Sequence, residues 1–167
     1  RYRKRILLVD DEPRNVKLLE AQIPKDLCAI DDFPELLNSR GTEAGNYILQ
    51  EVGHLLKRNF REVDLPVHLG EELFSEVLPY TNGSGAIQVA KRVREIIQGH
   101  SFLQKTPGPS VQIHLSMGIA LYSSPDLTVD QFIQKADDSL FQARTEGKGR
   151  IWIEDKPSPP CGEEKDF

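Results

Sequence analysis

One stretch decides the fold of this chain: Arg61-Glu62-Val63-Asp64-Leu65-Pro66-Val67-His68-Leu69-Gly70-Glu71-Glu72-Leu73-Phe74. The apolar runs on either side of Gly70-Glu71-Glu72 predict two strands joined by a tight turn, with two carboxylates at the tip of the hairpin. Arg61 and Asp64 precede the first strand. A guanidinium and a carboxylate at this spacing could bind a flat ligand that forms hydrogen bonds. The alternative is a surface ion pair worth roughly 0–1 kcal/mol.

The composition is that of a globular protein. Of the 167 residues, 38% are hydrophobic and 28% charged, which suits one compact domain or a domain with a fragment attached. A net charge of −5 provides no basic field, so we expect no nucleic-acid partner. No run approaches the roughly 20 apolar residues that cross a bilayer, so we expect no membrane partner. Cys28 and Cys161 have no metal-binding spacing and are not expected to pair, which predicts a cytoplasmic location.

Hydrophobic periodicity predicts strands and amphipathic helices along the whole chain. Strands are predicted at 5–9, 27–30, 65–69, 73–79, 111–122 and 151–153. Helices are predicted at 13–22, 33–38, 41–60, 83–99 and 129–147. Within the fifth strand, Gly118 marks a bulge or a close backbone approach. The pattern indicates an α/β (α+β) fold with a mixed central sheet flanked by helices.

The beginning of the chain resembles a different kind of unit from the rest. Residues 6–19, with the acid pair Asp10-Asp11 after an apolar strand, resemble the first strand and helix of a response-regulator receiver domain. That resemblance implies that Asp10 and Asp11 are candidate Mg²⁺ ligands, and the alternative is that they cap a helix. It ends near residue 22, so we predict a receiver-like βα remnant over 1–24. We further predict a main domain over 25–154 and a disordered tail over 155–167.

Residues 27–153 resemble a GGDEF domain, the diguanylate cyclase family. The marks are the spacing of Phe33, Gly41 and Gly45, the Arg61-x-x-Asp64 motif, and the stretches Leu78-Pro79, Ser116-Met117-Gly118-Ile119-Ala120 and Lys135–Arg144. The resemblance implies the fold of nucleotide cyclases and of the polymerase palm. It also implies an activity, in which two GTP molecules are condensed to cyclic di-GMP with the help of two metal ions.

The catalytic residues of that family are only partly present. The strand position that should carry a metal-binding acid is Ala29, and Asp31, two residues later, is the candidate substitute. In the signature loop Gly70 and the acidic Glu72 remain, whereas Glu71 replaces a glycine and Leu73 replaces a second acid. Two-metal phosphoryl chemistry needs at least two well-placed carboxylates, so we expect no catalytic residues, with Glu72 and Asp31 as vestiges.

The nucleotide-binding positions are also altered. Leu37 stands where the family has a base-reading Asn, and Pro34 stands where it has a phosphate-facing lysine. Asn46 keeps a hydrogen-bond acceptor without the charge. Arg144 and Lys148 keep positive charge where the family binds phosphate, and the alternative for both is a solvated cation near a helix end. Together with Gly70, these residues are predicted to be a vestigial nucleotide site.

The inhibitory-site motif of the family is intact. The resemblance implies that Arg61, Asp64 and Arg92 bind cyclic di-GMP, with Arg94 and Lys91 adding charge near its phosphates. A guanidinium can donate to guanine O6 and N7, and a carboxylate can accept from its N1–H and amino group. The leading hypothesis is therefore a catalytically inactive cyclic di-GMP receptor, acting as a homodimer or through a partner signalling protein.

Two other functions stay open at this point. One is a weak diguanylate cyclase that uses Glu72 and Asp31 as metal ligands; GTP would then be a ligand and Mg²⁺ would accompany it, whereas the receptor requires no cofactor. The other is an interaction domain that binds no nucleotide.

Overall fold

The computed structural model describes residues 8–10, 28–122, 126, 128–153 and 156–157. The predicted helix at 13–22, the candidate ligand Asp11 and most of the predicted tail lie outside these residues. The strands are β1 (Leu8–Asp10), β2 (Cys28–Ile30), β3 (Leu65–Gly70), β4 (Leu73–Pro79), β5 (Leu115–Leu121), β6 (Ile151–Ile153) and β7 (Lys156–Pro157). The helices are α1 (Phe33–Arg40), α2 (Thr42–Asn59), α3 (Gly83–Gly99) and α4 (Val129–Thr145).

The strands form one mixed sheet in the order β1-β4-β2-β5-β6-β7, with β3 paired to β4 as the predicted hairpin. The central strand β2 is antiparallel to both β4 and β5, with Cys28 opposite Phe74 on one side and Met117 on the other. The predicted class, a mixed sheet flanked by helices, is confirmed.

The gap between β4 and β5 holds two strands: β2, and β1 beyond the end of β2. Strand β1 is parallel to both neighbours, with Val9 opposite Leu78 and Leu8 opposite Ala120. Because β2 has only three residues, it fills part of the gap and β1 extends the pairing. The backbone of Asp10 pairs with Pro79 in this ladder.

The predicted apolar stripes of the helices form the core against the sheet. On α2 the buried side chains are Ile48, Val52 and Leu56, and on α3 they are Ala86, Ala90, Val93 and Ile97. Helix α4 begins after the N-cap Thr128, whose side chain accepts from the Gln131 amide in a capping box. Gly118 is the predicted close approach, since a Cβ there would lie 2.7 Å from the Ala136 carbonyl oxygen of α4.

Two predicted boundaries differ from the structure. The fifth strand begins at Leu115 and not at residue 111, because Val111 exchanges backbone hydrogen bonds of 2.8 and 2.9 Å with Phe102 and so closes a loop. Lys156–Pro157, in the predicted tail, pair with Trp152 and Ile153 of β6. None of the helices in the described part of the chain is long and apolar enough to cross a membrane.

Candidate functional site

The Arg61–Asp64 turn follows directly on the end of α2. Phe60 takes an extended conformation that ends the helix, and the chain then turns back within four residues. The amide of Asp64 donates to the Arg61 carbonyl at 3.0 Å, and the amide of Arg61 donates to Asp64 Oδ2 at 2.9 Å. These reciprocal bonds fix the backbone of the turn at the start of β3.

The Arg61 side chain is held by three elements at once. Its Nε donates to Asp64 Oδ1 at 3.1 Å, and its Nη2 donates to the same oxygen at 2.8 Å, to Thr81 Oγ1 at 2.8 Å and to the Pro79 carbonyl at 3.2 Å. The hydrogen bond that Arg61 donates to Asp64 raises the pKa of Arg61 above its usual value. A guanidinium bonded this way has its orientation set before any ligand arrives.

Asp64 faces the protein, whereas Arg61 faces solvent. The Asp64 side chain has no exposed area and the Arg61 side chain is 50% exposed. Both carboxylate oxygens already accept hydrogen bonds from Arg61. In this conformation Asp64 orients Arg61. The Asp64 carboxylate could contact guanine, as expected from the sequence, only if the Arg61–Asp64 pair opened.

Arg92 lies at the same corner of the molecule. It is exposed on α3, and its Nη2 donates to the Asn59 carbonyl at 2.9 Å. Asn59 is the last residue of α2, two residues before Arg61, so the structure brings the two arginines together. A helix C-terminus also favours a cation.

The expected contribution of Arg94 is wrong. Its side chain is buried, and its Nη1 lies 3.5 Å from the Gly149 carbonyl. Successive residues on a helix are about 100° apart, so Arg94 points about 200° away from Arg92. Lys91 is half-buried on the same helix.

The hairpin tip keeps the geometry of a tight turn. Gly70 has a φ of 111° and Glu71 a φ of 50°, so the glycine takes a conformation that side chains rarely adopt, although a Cβ there would meet no atom within 4 Å. Glu72 is half-buried, and its carbonyl accepts from the amide of Ile30 at 3.1 Å. His68 is exposed and stacks on Phe74 with ring centroids 4.6 Å apart.

Asp31 is held on the side of β2 away from the hairpin. Its Oδ2 accepts from Ser116 Oγ at 2.9 Å and from the Gly149 amide at 2.8 Å, and burial raises its pKa. Glu72 precedes β4, on the other side of β2. Across the residues that the structure describes, no three His, Cys, Asp or Glu side chains are grouped so that they could hold a metal ion. Ala29 is buried and carries no donor atom in its side chain, so the donors described do not fit a two-metal centre.

The residues at the altered nucleotide-binding positions contact other parts of the protein. A Cβ on Gly45 would collide with Leu37 Cδ2 and lie 3.3 Å from Phe33, so Leu37 fills the space between α1 and α2. Lys148 forms an ion pair with Asp32, which raises the lysine pKa. Arg144 is exposed, and its charge acts to lower the pKa of Asp31.

Asn46 is exposed near the beginning of α2. The structure therefore keeps Arg144 and Lys148 near Asp31 and Asp32, with Lys148 already paired. The nucleotide-binding roles of Asn46, Arg144 and Lys148 stay predictions.

Sequence reasoning missed Glu76, which lies inside the sheet beneath the Arg61–Asp64 turn. Burial, with a smaller contribution from the charge of Asp64, raises its pKa to about 8. Its Oε1 has no hydrogen-bond partner among the described residues, and its Oε2 lies 4.0 Å from Cys28 Sγ. The available signal was an acid in the middle of the apolar run 73–79.

Comparisons with known proteins agree with this architecture. A family model described as "Diguanylate cyclase, GGDEF domain" matches residues 26–150. Diguanylate cyclase A of Treponema denticola is 27% identical over 124 residues, and response regulator PleD of Caulobacter vibrioides is 26% identical over 125 residues. These matches cover 74% and 75% of this chain but only 33% and 28% of the relatives. The chain thus spans about a third of the length of the curated relatives it matches.

Two solved structures share the fold. The GGDEF domain of PA1120 (TpbB or YfiN) from Pseudomonas aeruginosa superposes with a TM-score of 0.71 at 25% identity, covering 77% of this chain and 74% of that chain. The GGDEF domain of DgcB from Caulobacter crescentus, in complex with c-di-GMP, superposes with a TM-score of 0.70 at 16% identity, covering 78% and 76%.

Proposed function

We propose that this chain, which belongs to the diguanylate cyclase GGDEF family, is a receptor domain that binds cyclic di-GMP through Arg61 and Arg92, with Asp64 orienting Arg61, and does not synthesise it. One observation carries the proposal: two guanidiniums lie at one exposed corner, Arg61 oriented by Asp64 and Arg92 by the Asn59 carbonyl. The family places a cyclic di-GMP site on this motif.

The chemistry of the corner suits the dinucleotide. A guanidinium can donate to guanine O6 or N7 or to phosphate, and two guanidiniums at one corner can share one base and one phosphate. Because Arg61 is already oriented by Asp64 and Thr81, little side-chain entropy is lost when the ligand binds. The fold shared with DgcB accommodates c-di-GMP in that protein.

A separate set of residues supports the proposed absence of cyclic di-GMP synthesis. Ala29 cannot bind a metal ion, and Asp31 is engaged with Ser116 and Gly149. Leu37 occupies the space next to Gly45 and offers no hydrogen bond to a base. A cyclase that used Glu72 and Asp31 would need both carboxylates turned toward one metal centre.

The output follows from the shape of the ligand. Cyclic di-GMP carries two guanines, so one molecule can contact two protein surfaces. Binding is therefore expected to join two copies of the domain or to join the domain to a signalling partner.

Equilibrium dialysis with cyclic di-GMP tests the binding, and mass spectrometry after incubation with GTP and Mg²⁺ tests the chemistry. The proposal predicts retention of cyclic di-GMP by the parent, reduced retention by Arg61→Ala, and no product from GTP. Product that disappears in Glu72→Ala would establish the cyclase instead. Failure to retain either nucleotide would indicate a domain that acts through protein contacts alone.

A further inference from the structure

Tyr80 has an unusual backbone conformation beside the proposed ligand site. Its φ is 56°, in the left-handed region that favours glycine and that a bulky residue rarely adopts. It directly follows Pro79, the last residue of β4. A strained residue that the surroundings hold in place is often part of a functional site.

The two neighbours of Tyr80 both bind Arg61. The Pro79 carbonyl accepts from Arg61 Nη2 at 3.2 Å, and the Thr81 hydroxyl accepts from the same atom at 2.8 Å. Thr81 Oγ1 in turn donates to the Pro79 carbonyl at 3.1 Å. This closed set of hydrogen bonds fixes the chain on both sides of Tyr80 and places that residue next to the guanidinium.

Tyr80 is also the exposed member of the three. Pro79 and Thr81 are buried, whereas Tyr80 is 58% exposed. A large apolar ring in this position is presented to solvent at the same corner as Arg61, which is itself 50% exposed.

The hydrogen bonds described so far reach the edge of a base and not its face. Arg61 and Arg92 can donate to the edge of a guanine and to phosphate, and the Asp64 carboxylate is turned inward. Hydrogen bonds to the edge leave the apolar faces of the ring in water, whereas an aromatic side chain can cover one of them. Among the described residues at this corner, Tyr80 has the ring that could do so.

We propose that Tyr80 is a ligand-binding residue that stacks on the guanine held by Arg61, an inference that rests on the proposed binding of cyclic di-GMP. Tyr80 lies between Pro79 and Thr81, and the hydrogen bonds from Arg61 to these two neighbours keep the residue beside the site. The same guanidinium thus positions both the edge contact and the face contact.

Calorimetric titration with cyclic di-GMP of the parent, Tyr80→Phe and Tyr80→Asn tests the inference. Asn tolerates the left-handed conformation but cannot stack, so the backbone is kept and the ring is removed. Stacking of a base on an aromatic residue predicts a loss of affinity of about 5-fold or more in Tyr80→Asn and near-parent affinity in Tyr80→Phe. Melting temperatures of the three proteins confirm that each is folded.

The matched control is Tyr47→Ala, which removes another exposed tyrosine. Tyr47 lies 12 residues before Asn59 on α2, about 18 Å along the helix, and its removal should leave the affinity unchanged. Parent-like affinity in Tyr80→Asn, with the parent binding normally, overturns the stacking role and leaves the proposed function standing. A parent that does not bind cyclic di-GMP overturns both.

Discussion

Arg61 and Asp64 form a closed pair in which the carboxylate has no exposed area and the guanidinium is half exposed. The Arg61 Nε lies 3.1 Å and 3.2 Å from the two carboxylate oxygens, and Nη2 lies 2.8 Å from one of them. The buried acid therefore sets the orientation of the exposed base. Asp64 therefore supports both the turn and the orientation of the side chain that faces the ligand.

The pair predicts a combined effect of Asp64→Asn on stability and binding. The amide keeps the shape but removes the charge that holds Arg61, and a lost charge-assisted hydrogen bond costs about 1.5–3 kcal/mol. We expect a lower urea midpoint and weaker binding of cyclic di-GMP, because Arg61 is no longer oriented. Glu62→Gln, at an exposed carboxylate in the same turn, is the control and should change neither quantity. A stable Asp64→Asn protein with parent-like affinity would contradict this role.

Glu76 predicts a fall in stability with rising pH. Its pKa of about 8 in the folded protein exceeds the ordinary value of 4.5, so between these values the folded state keeps a proton that the unfolded state has released. The contribution of protonated Glu76 to the free energy of unfolding is complete below about pH 4.5. It decreases by roughly 1.4 kcal/mol per pH unit as the pH rises to about 8, and is then constant.

Urea unfolding of the parent and of Glu76→Gln at pH 5, 6.5 and 8 measures this contribution. The variant should lose most of the pH dependence, since its side chain does not titrate. Asp64→Asn removes a charge that raises the Glu76 pKa, so it should move the upper end of the window to lower pH. Identical pH profiles for the parent and Glu76→Gln would rule out a buried, protonated Glu76.

Replacing Gly118 and Gly53 by alanine is expected to change the free energy of unfolding in opposite directions. A Cβ at Gly118 would collide with the Leu140 amide and lie 2.7 Å from the Ala136 carbonyl oxygen, both in the backbone of α4. We expect Gly118→Ala to lose about 2–4 kcal/mol of unfolding free energy, since α4 must move away from β5. Gly53→Ala, in α2 with no atom within 4 Å, should gain about 0.5–1 kcal/mol. Equal effects measured by urea unfolding would refute the close packing of α4.

The sequence predicted the hairpin, the helix α4 and the close approach at Gly118, because each follows from local chemistry. Thr128 and Gln131 form a capping box within four residues, and Gly118 stands out in an apolar strand. The motif Arg61-x-x-Asp64 located the turn. The orientation of Arg61 also depends on Pro79 and Thr81, which lie 18 and 20 residues further along the chain.

The features that were missed depend on contacts between distant parts of the chain. Arg94 adjoins the apolar stripe of α3 and bonds to Gly149, a partner that helical periodicity does not reveal. Glu76 in an apolar strand gives no indication of its neighbours Cys28 and Asp64. The position of β1 between β4 and β5 depends on backbone pairing with strands that lie far along the chain.

Titration calorimetry with cyclic di-GMP on the parent, Arg61→Ala and Arg58→Ala tests the proposed binding site. Arg58 is an exposed arginine in the last turn of α2 and serves as the matched control. A ligand contact from Arg61 predicts binding by the parent and by Arg58→Ala, and a loss of affinity of about 10-fold or more in Arg61→Ala, as expected for a lost charged hydrogen bond. Equal affinity of Arg61→Ala and the parent would contradict it.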